Sequence, residues 1–252
     1  MGAGGTDRVE PPPCPVVPGT RADKVSYEEA RRALGAGEFD IAVAMMHDLE
    51  ARFPTSPYAR QVQLDAAYAH YKANQPDAAL EAIDRFLRLN PRDPCVDYAW
   101  YLRGLTNFNR GDSWLDRMFS HNPAQRDPKS LRAAFDDFAT LVRQHPDSRY
   151  AVDGHRRLTH LQNKLAAHEM AVADYYMKRE AYLAAANRGQ YLIEHYPQAP
   201  ARIRALQVMI EAYTKLGMDD LAQDARAVLA LNHPVDPGTV DAIAATSGPA
   251  VR

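Results

Sequence analysis

The chain has 252 residues, of which 46% are hydrophobic and 25% are charged, and its formal net charge at pH 7 is −2. This is the composition of an ordinary folded protein, and the small net charge gives no electrostatic reason to expect nucleic acid or an anionic membrane surface as a partner. No apolar run approaches the ~18 residues that a membrane-spanning helix requires, so the sequence predicts no such helix.

Residues 1–23 are rich in glycine and proline and have little apolar content, which predicts a disordered tether. The segment lacks the basic start and apolar stretch of a signal peptide, which leaves either a cytoplasmic protein or one whose leader has been removed. The two cysteines are Cys14, in this tether, and Cys95, before a predicted helix. They match no metal-binding spacing, and because Cys14 lies in the predicted tether we expect two unpaired thiols rather than a disulfide.

An alanine followed twelve residues later by a proline recurs five times along the chain. The residue four positions after the alanine is apolar or small in the first four pairs and is Arg226 in the fifth. A small side chain lets two helices cross closely and a proline ends a helix, so each pair marks the second helix of a tetratricopeptide-type repeat. The sequence therefore predicts an all-α tetratricopeptide-repeat solenoid of five helix pairs. The alanine and proline pairs are Ala42 and Pro54, Ala79 and Pro91, Ala134 and Pro146, Ala185 and Pro197, and Ala222 and Pro234.

The first three repeats are predicted to occupy residues 24–146. Within this range, residues 111–127 are an insertion whose four bulky apolar residues, at helical spacing, predict a short amphipathic helix that either packs on the repeats or docks a partner. These four residues are Trp114, Leu115, Met118 and Phe119. The repeat helices are expected at 24–36, 38–53, 57–73, 76–89, 94–110 and between 128 and 146.

Repeats four and five are predicted over residues 147–233. A stretch at about 148–179 contains no proline and one glycine, Gly154, and its apolar residues form one stripe, which predicts a single long helix. Residues 234–252 are predicted to be a disordered tail. Three shorter helices are expected between these segments, at 181–196, 200–216 and 218–232.

No catalytic residue, cofactor site or metal site is predicted. His168 and Glu169 resemble part of a zinc-protease motif, but Val172 stands where the second histidine is required. The sequence contains no Gly-x-Ser-x-Gly elbow, and neither cysteine has a recognisable base partner. These observations favour a non-enzymatic binding scaffold.

The first helices of such repeats line a concave groove, and here they carry aromatic residues together with a few cations. This combination suits an extended peptide and its C-terminal carboxylate. The alternative is that these are ordinary packing or surface residues. The candidate groove residues are Tyr27, Arg31, Tyr68, Lys72, Tyr101 and Phe108.

Several runs of the repeat region point to one family. They are QVQLDAAYAHYK, AIDRFLRLNP, DYAWYLRGLTNF, RDPKSLRAAFDDFATLVRQHPDSRYAVD, and the stretch from LAAHEMAVADYYMKREAYLAAANR to YP. Together they resemble the BamD (ComL) lipoproteins, and the resemblance spans residues 24–232. It implies an outer-membrane lipoprotein that faces the periplasm of Gram-negative bacteria, has five tetratricopeptide repeats, and belongs to the machine that folds and inserts β-barrel proteins.

The resemblance also implies the partners. They are the periplasmic domain of the BamA-type insertase, the other lipoproteins of the machine, and unfolded outer-membrane proteins, whose C-terminal segments end in an aromatic residue. We expect repeats one to three to bind these segments and repeats three to five to dock the insertase. Asn187 and Arg188 match the family pattern and are the candidate docking residues, with a solvated surface arginine as the alternative.

One feature departs from the family. Its members carry a lipid on an N-terminal cysteine after a Leu-x-Gly-Cys type of signal, which this sequence lacks, and Cys14 cannot be that site because it follows three prolines. We expect that Met1 stands in place of the lipidated cysteine and that the tether reaches from the inner leaflet of the outer membrane to the first repeat. The alternative function is an unlipidated periplasmic or cytoplasmic repeat adaptor that couples other complexes.

Overall fold

The computed structural model describes residues 9–14, 21–111 and 128–232. Within these ranges the chain forms ten α-helices and no strand, which confirms the predicted all-α fold. The predicted tail lies outside the described residues, as does the predicted insertion apart from Gly111. The helices are α1 (Arg21–Gly35), α2 (Phe39–Arg52), α3 (Ala59–Lys72), α4 (Pro76–Leu89), α5 (Val96–Gly111), α6 (Lys129–Gln144), α7 (Ala151–Lys178), α8 (Tyr182–His195), α9 (Arg202–Lys215) and α10 (Asp219–Asn232).

The long helix predicted at about 148–179 is confirmed as α7, which runs through Gly154 without a break. Gly154 lies where α7 passes close to α6, because a Cβ atom at this position would be 3.2 Å from Leu141 Cδ2. None of the helices in the described part of the chain has both the length and the hydropathy needed to cross a membrane.

The helices group into two compact units. The N-terminal unit contains α1 to α6 and the part of α7 up to Leu161, and the C-terminal unit contains the rest of α7 with α8 to α10. In the N-terminal unit each of the helices α1 to α5 packs on the next one along the chain, and the first helices α1 and α5 both contact α3. In the C-terminal unit α9 packs on both α8 and α10.

All five repeat alanines are fully buried, as the spacing predicts. Ala42, Ala79, Ala134, Ala185 and Ala222 each have 0% of their surface exposed. A side chain of this size allows the second helix of each repeat to approach its neighbours closely. The exception to the pattern, Arg226, is exposed and donates a hydrogen bond to Thr214 Oγ1 at 3.2 Å.

Four of the repeat prolines end their helices, and each does so by its effect on the residue just before the proline. Since a proline ring disfavours the helical conformation of the preceding residue, the helix stops one position before it. The preceding residues have φ between −129° and −132° and donate their N–H to the carbonyl four residues earlier. They are Phe53, Asn90, His145 and Tyr196.

Two of the loops after these prolines share a serine arrangement that periodicity does not reveal. Ser56 Oγ accepts the N–H of Tyr58 and donates to Asp23 Oδ2 at 2.9 Å. Ser148 Oγ likewise accepts the N–H of Tyr150 and donates to a carboxylate on the preceding first helix, that of Asp97, at 2.7 Å. Each serine therefore lies at the start of one first helix and links it by a hydrogen bond to the first helix of the preceding repeat.

Two predictions about the N-terminus are wrong. Cys14 and Cys95 form a disulfide with Cα atoms 6.0 Å apart, so they are not unpaired thiols. Residues 9–14 are also not a disordered tether, because Cys14 is buried and its N–H donates to Gln61 Oε1 at 2.6 Å. Neither the disulfide nor the order of residues 9–14 has a local sequence signal, since the cysteines are 81 residues apart and a proline-rich segment shows no periodicity.

Helix α1 also begins earlier than predicted, at Arg21.

Gly104 lies where α5 passes close to Phe138 on α6. A Cβ atom on Gly104 would lie 2.8 Å from ring atoms of Phe138, which is fully buried. Because a buried ring cannot move aside freely, any side chain here would separate the two helices.

We therefore expect Gly104→Ala to lower the free energy of unfolding by about 1–3 kcal/mol, although alanine favours a helix by ~1 kcal/mol over glycine. Urea unfolding followed by circular dichroism measures the effect. Gly35→Ala is the matched control, since a Cβ atom there meets nothing within 4 Å. A Gly104→Ala protein as stable as wild type would show that the crossing tolerates a side chain.

Candidate functional site

A buried carboxylate on α3 organises the surface formed by the first helices α1, α3 and α5, here called the first-helix surface. Asp65 has 0% of its surface exposed. Its Oδ2 accepts the hydroxyl of Tyr27 at 3.1 Å, and its Oδ1 accepts Arg31 Nη1 at 3.2 Å and Gln61 Nε2 at 2.8 Å. Burial raises the pKa of Asp65 to about 6, against the lowering effect of the Arg31 guanidinium.

Arg31 links this buried carboxylate to the surface. Its side chain is 30% exposed, and Nη2 lies 3.8 Å from Glu10 Oε1 of the N-terminal segment. Tyr68 lies in the same region with 8% of its surface exposed, and its pKa is raised by burial and by the charge of Glu10. The structure therefore gathers three of the predicted groove residues, Tyr27, Arg31 and Tyr68, around Asp65 and Glu10.

Residues 9–14, here called the strap, lie on this surface. The hydroxyl of Tyr98 on α5 donates to the carbonyl of Val9 at 2.8 Å, and the Cys14 N–H donates to Gln61 on α3. The ion pair of Glu10 with Arg31 adds a contact to α1, and the disulfide fixes Cys14 to Cys95. This short segment thus contacts the first helices α1, α3 and α5.

The other predicted groove residues lie elsewhere or deeper. The prediction that Tyr101 faces the groove is wrong. Tyr101 is 2% exposed, its ring stacks on that of Tyr150 at 4.7 Å between centroids, and its hydroxyl donates to Asp153 Oδ2 at 2.8 Å. Phe108 is half-buried, with the Arg157 guanidinium 5.5 Å from its ring centre.

Lys72 is exposed at the end of α3. The groove predicted from the sequence omits Gln61 and Asp65. Gln61 and Asp65 lie four residues apart and share one buried face of α3, but the helix also carries Arg60, Gln63 and Lys72, so their polarity alone does not distinguish them in the sequence.

One group of side chains in the described residues has the composition of a metal site. The ligand atoms of Cys14, Asp93 and Cys95 lie within 4.8 Å of one another. Both sulfur atoms are bonded to each other, however, and Asp93 already accepts Arg60 Nη1 and the Cys95 N–H, both at 2.9 Å. A thiolate is the form of cysteine that binds metal, so the disulfide excludes this use.

Arg188, predicted to pair with a partner's carboxylate, has a carboxylate partner within its own unit. Its Nη1 donates to Glu169 Oε2 on α7 at 3.1 Å. The side chain of Glu169 is 1% exposed, whereas that of Arg188 is 41% exposed. The neighbouring residue Asn187 is exposed on α8. Arg188 therefore stabilises the packing of α7 with α8 and still presents part of its guanidinium to solvent.

The raised pKa of Asp65 generates a prediction about stability and pH. Because the folded-state pKa of about 6 lies above the ordinary value of 3.8, the contribution of this group is greatest below 3.8 and is lost as pH rises through 6. Between about pH 4 and about pH 6.5, wild type should therefore lose about 1–3 kcal/mol of stability relative to Asp65→Asn. Urea unfolding at several pH values measures this difference.

Asp147→Asn, which removes an exposed carboxylate before α7, serves as the matched control for the pH series. The difference between wild type and the Asp147→Asn protein should show no comparable slope. A flat difference for Asp65→Asn as well would show that Asp65 titrates alike in the folded and unfolded chains.

Comparison with known proteins gives the family. A family model described as an outer membrane lipoprotein matches residues 20–229. The chain is 47% identical over 211 residues to the outer membrane protein assembly factor BamD of Neisseria meningitidis serogroup A, which covers 84% of this chain and 79% of the relative. It is 39% identical over 206 residues to the protein of the same name from Vibrio cholerae, which covers 82% of this chain and 86% of the relative.

Solved structures give a weaker likeness. A crystal structure of MamA covers 91% of this chain and 97% of its own, with a TM-score of 0.40 and 16% identity, and this similarity carries no argument about function. The sequence relatives confirm the resemblance found in the repeat region. The chain belongs to the BamD family of outer membrane protein assembly factors.

Proposed function

We propose that this chain is a non-enzymatic scaffold of the β-barrel assembly machinery, held by an N-terminal lipid at the periplasmic face of the outer membrane. Its first-helix surface around Asp65 binds the C-terminal segments of unfolded barrel proteins, and its C-terminal unit docks the insertase. Membership of an outer membrane lipoprotein family supports this location and favours assembly over the alternative of a general repeat adaptor.

The observation that carries the proposal is the position of Arg31. Its Nη1 is held by buried Asp65, and its Nη2 lies 3.8 Å from the Glu10 carboxylate of the strap. A guanidinium has five N–H donors in a rigid fork, so holding one carboxylate leaves donors for a second. A barrel protein's terminal carboxylate is a ligand of the same chemistry as the Glu10 side chain. The half-buried ring of Tyr27, stacked on Tyr58 at 4.8 Å, lies beside it and offers an apolar contact for the terminal aromatic residue.

The docking half of the proposal rests on α8. Asn187 and Arg188 lie next to each other on this helix, one exposed and the other 41% exposed in its side chain. The remaining donors of Arg188 suit a carboxylate on the insertase. Because Arg188 also holds buried Glu169, Arg188→Ala would remove a charged donor from that carboxylate and destabilise the unit. Docking is therefore better tested at Asn187.

Arg31→Lys should weaken binding of a synthetic peptide that ends in phenylalanine with a free carboxylate by about 10-fold, since lysine can still neutralise buried Asp65 but has no rigid fork to face a second carboxylate. Fluorescence anisotropy on the reduced chain measures the affinity, which should be on the order of micromolar for wild type. Arg32→Lys is the matched control, because Arg32 is one residue away on α1 and its side chain is 75% exposed. The same peptide with an amidated end should lose a similar factor.

A photoreactive group on the peptide's last residue should crosslink near Tyr27 and Tyr68. Crosslinks confined to residues 180–232, or equal affinity for the free and amidated peptides, would contradict the assignment of this surface to barrel-protein termini.

Asn187→Asp should reduce co-purification with the insertase by about 10-fold, because a carboxylate beside Arg188 repels the acidic group that we expect on the partner. The change is isosteric and exposed, so the melting temperature should not move. Gln223→Glu on α10 is the matched amide-to-carboxylate control on another exposed position. Unchanged recovery of the insertase with Asn187→Asp would remove this part of α8 from the interface.

A further inference from the structure

The strap occupies the same surface that we assign to barrel-protein termini. Its Glu10 carboxylate meets Arg31, and its Val9 carbonyl accepts the Tyr98 hydroxyl. These two protein groups are a cation and a neutral donor, which are what an extended segment with a carboxylate would use. While the strap is in place, a second segment cannot use the same donors in the same way.

The composition of the strap suits an intramolecular ligand. Pro11 to Pro13 follow Glu10 directly, and Pro11 is buried. Proline fixes φ near −65° and keeps the chain extended, so ordering these residues on a surface loses little conformational entropy. The strap therefore needs little conformational ordering when it binds this surface.

The disulfide determines how firmly the strap competes. When Cys14 is bonded to Cys95, the strap cannot diffuse away from the first helices, whatever the concentration of a competing segment. When the bond is open, the strap is a tethered ligand with an effective concentration on the order of millimolar or lower, held by an ion pair and two hydrogen bonds. A competitor of micromolar affinity can displace such a ligand.

We infer that the strap is a cis-acting ligand that closes the first-helix surface, and that reduction of Cys14–Cys95 opens this surface to an extended, carboxylate-bearing segment in trans. The reductant is a dithiol, of a small molecule or of a thiol oxidoreductase. Two electrons and two protons pass from it to the disulfide, which leaves two cysteine thiols in this chain and a new disulfide in the reductant. Cys14 is 6% and Cys95 is 4% exposed, so the strap must loosen before the dithiol can attack.

The test uses the full chain and a fluorescent synthetic peptide with the sequence of residues 9–14 carrying Cys14→Ser. Oxidised wild type should bind this probe at least 10-fold more weakly than the double variant Glu10→Gln/Cys14→Ser, in which the strap has lost both its covalent bond and its ion pair. Glu28→Gln/Cys14→Ser, which removes an exposed carboxylate from α1 instead, should bind the probe with intermediate affinity because the ion pair of the strap remains.

A second measurement opens the disulfide chemically rather than by substitution of a cysteine. Wild type that has been reduced with dithiothreitol and alkylated at both cysteines should bind the probe more tightly than the oxidised chain, and Arg31→Lys should remove most of this gain. Equal affinity of the oxidised, alkylated and double-variant proteins would overturn the inference.

The inference rests on the proposed function for its ligand class, but the two fail differently. If the strap probe binds the open forms and the phenylalanine-ended peptide does not, the assignment of barrel-protein termini fails and the closing strap stands. If the phenylalanine-ended peptide binds oxidised wild type as tightly as it binds the alkylated chain and the double variant, the strap does not close the surface. The proposed function would then still stand.

Discussion

The close crossing of helices at a fully buried alanine is the constraint on which the other features depend. Because Ala42, Ala79 and Ala134 are small and fully buried, the second helices of the N-terminal unit can pack closely on their neighbours. The proline twelve residues later then ends each of these helices at the same point. Regular spacing is what brings α1, α3 and α5 together as a surface, so that residues from three helices can contact one short segment.

Buried carboxylates paired with arginines add specificity to this apolar packing. Asp65 pairs with Arg31, and Glu169 pairs with Arg188. Asp137 on α6 accepts hydrogen bonds from Asn107 and Arg103 on α5. A buried charge is costly unless its partner lies in one particular place, so each pair favours one register of its two helices over others.

Local periodicity is enough to predict the helices, but it fails where long-range contacts decide the structure. The repeat helices and the unbroken α7 are predictable because alanine spacing and the absence of proline are local facts. Tyr101 is predicted to face the groove because it lies on a first helix, yet its ring is covered by Tyr150 from the start of α7, which no periodicity reveals. Predicting the Cys14–Cys95 pairing requires knowing that residues 9–14 lie across α3 and α5.

Under the proposed function, the same arginines would serve both stability and binding. Arg31 and Arg188 each pair with a carboxylate side chain that is 0% or 1% exposed, whereas the arginine side chains themselves are 30% and 41% exposed. A partner carboxylate that approaches from outside finds a cation already oriented, so little side-chain entropy is lost on binding. Lysine could neutralise the inner acid but has no rigid fork with which to face two acceptors at once. Holding a buried acid while facing a second acceptor is therefore a role for which arginine is better suited than lysine.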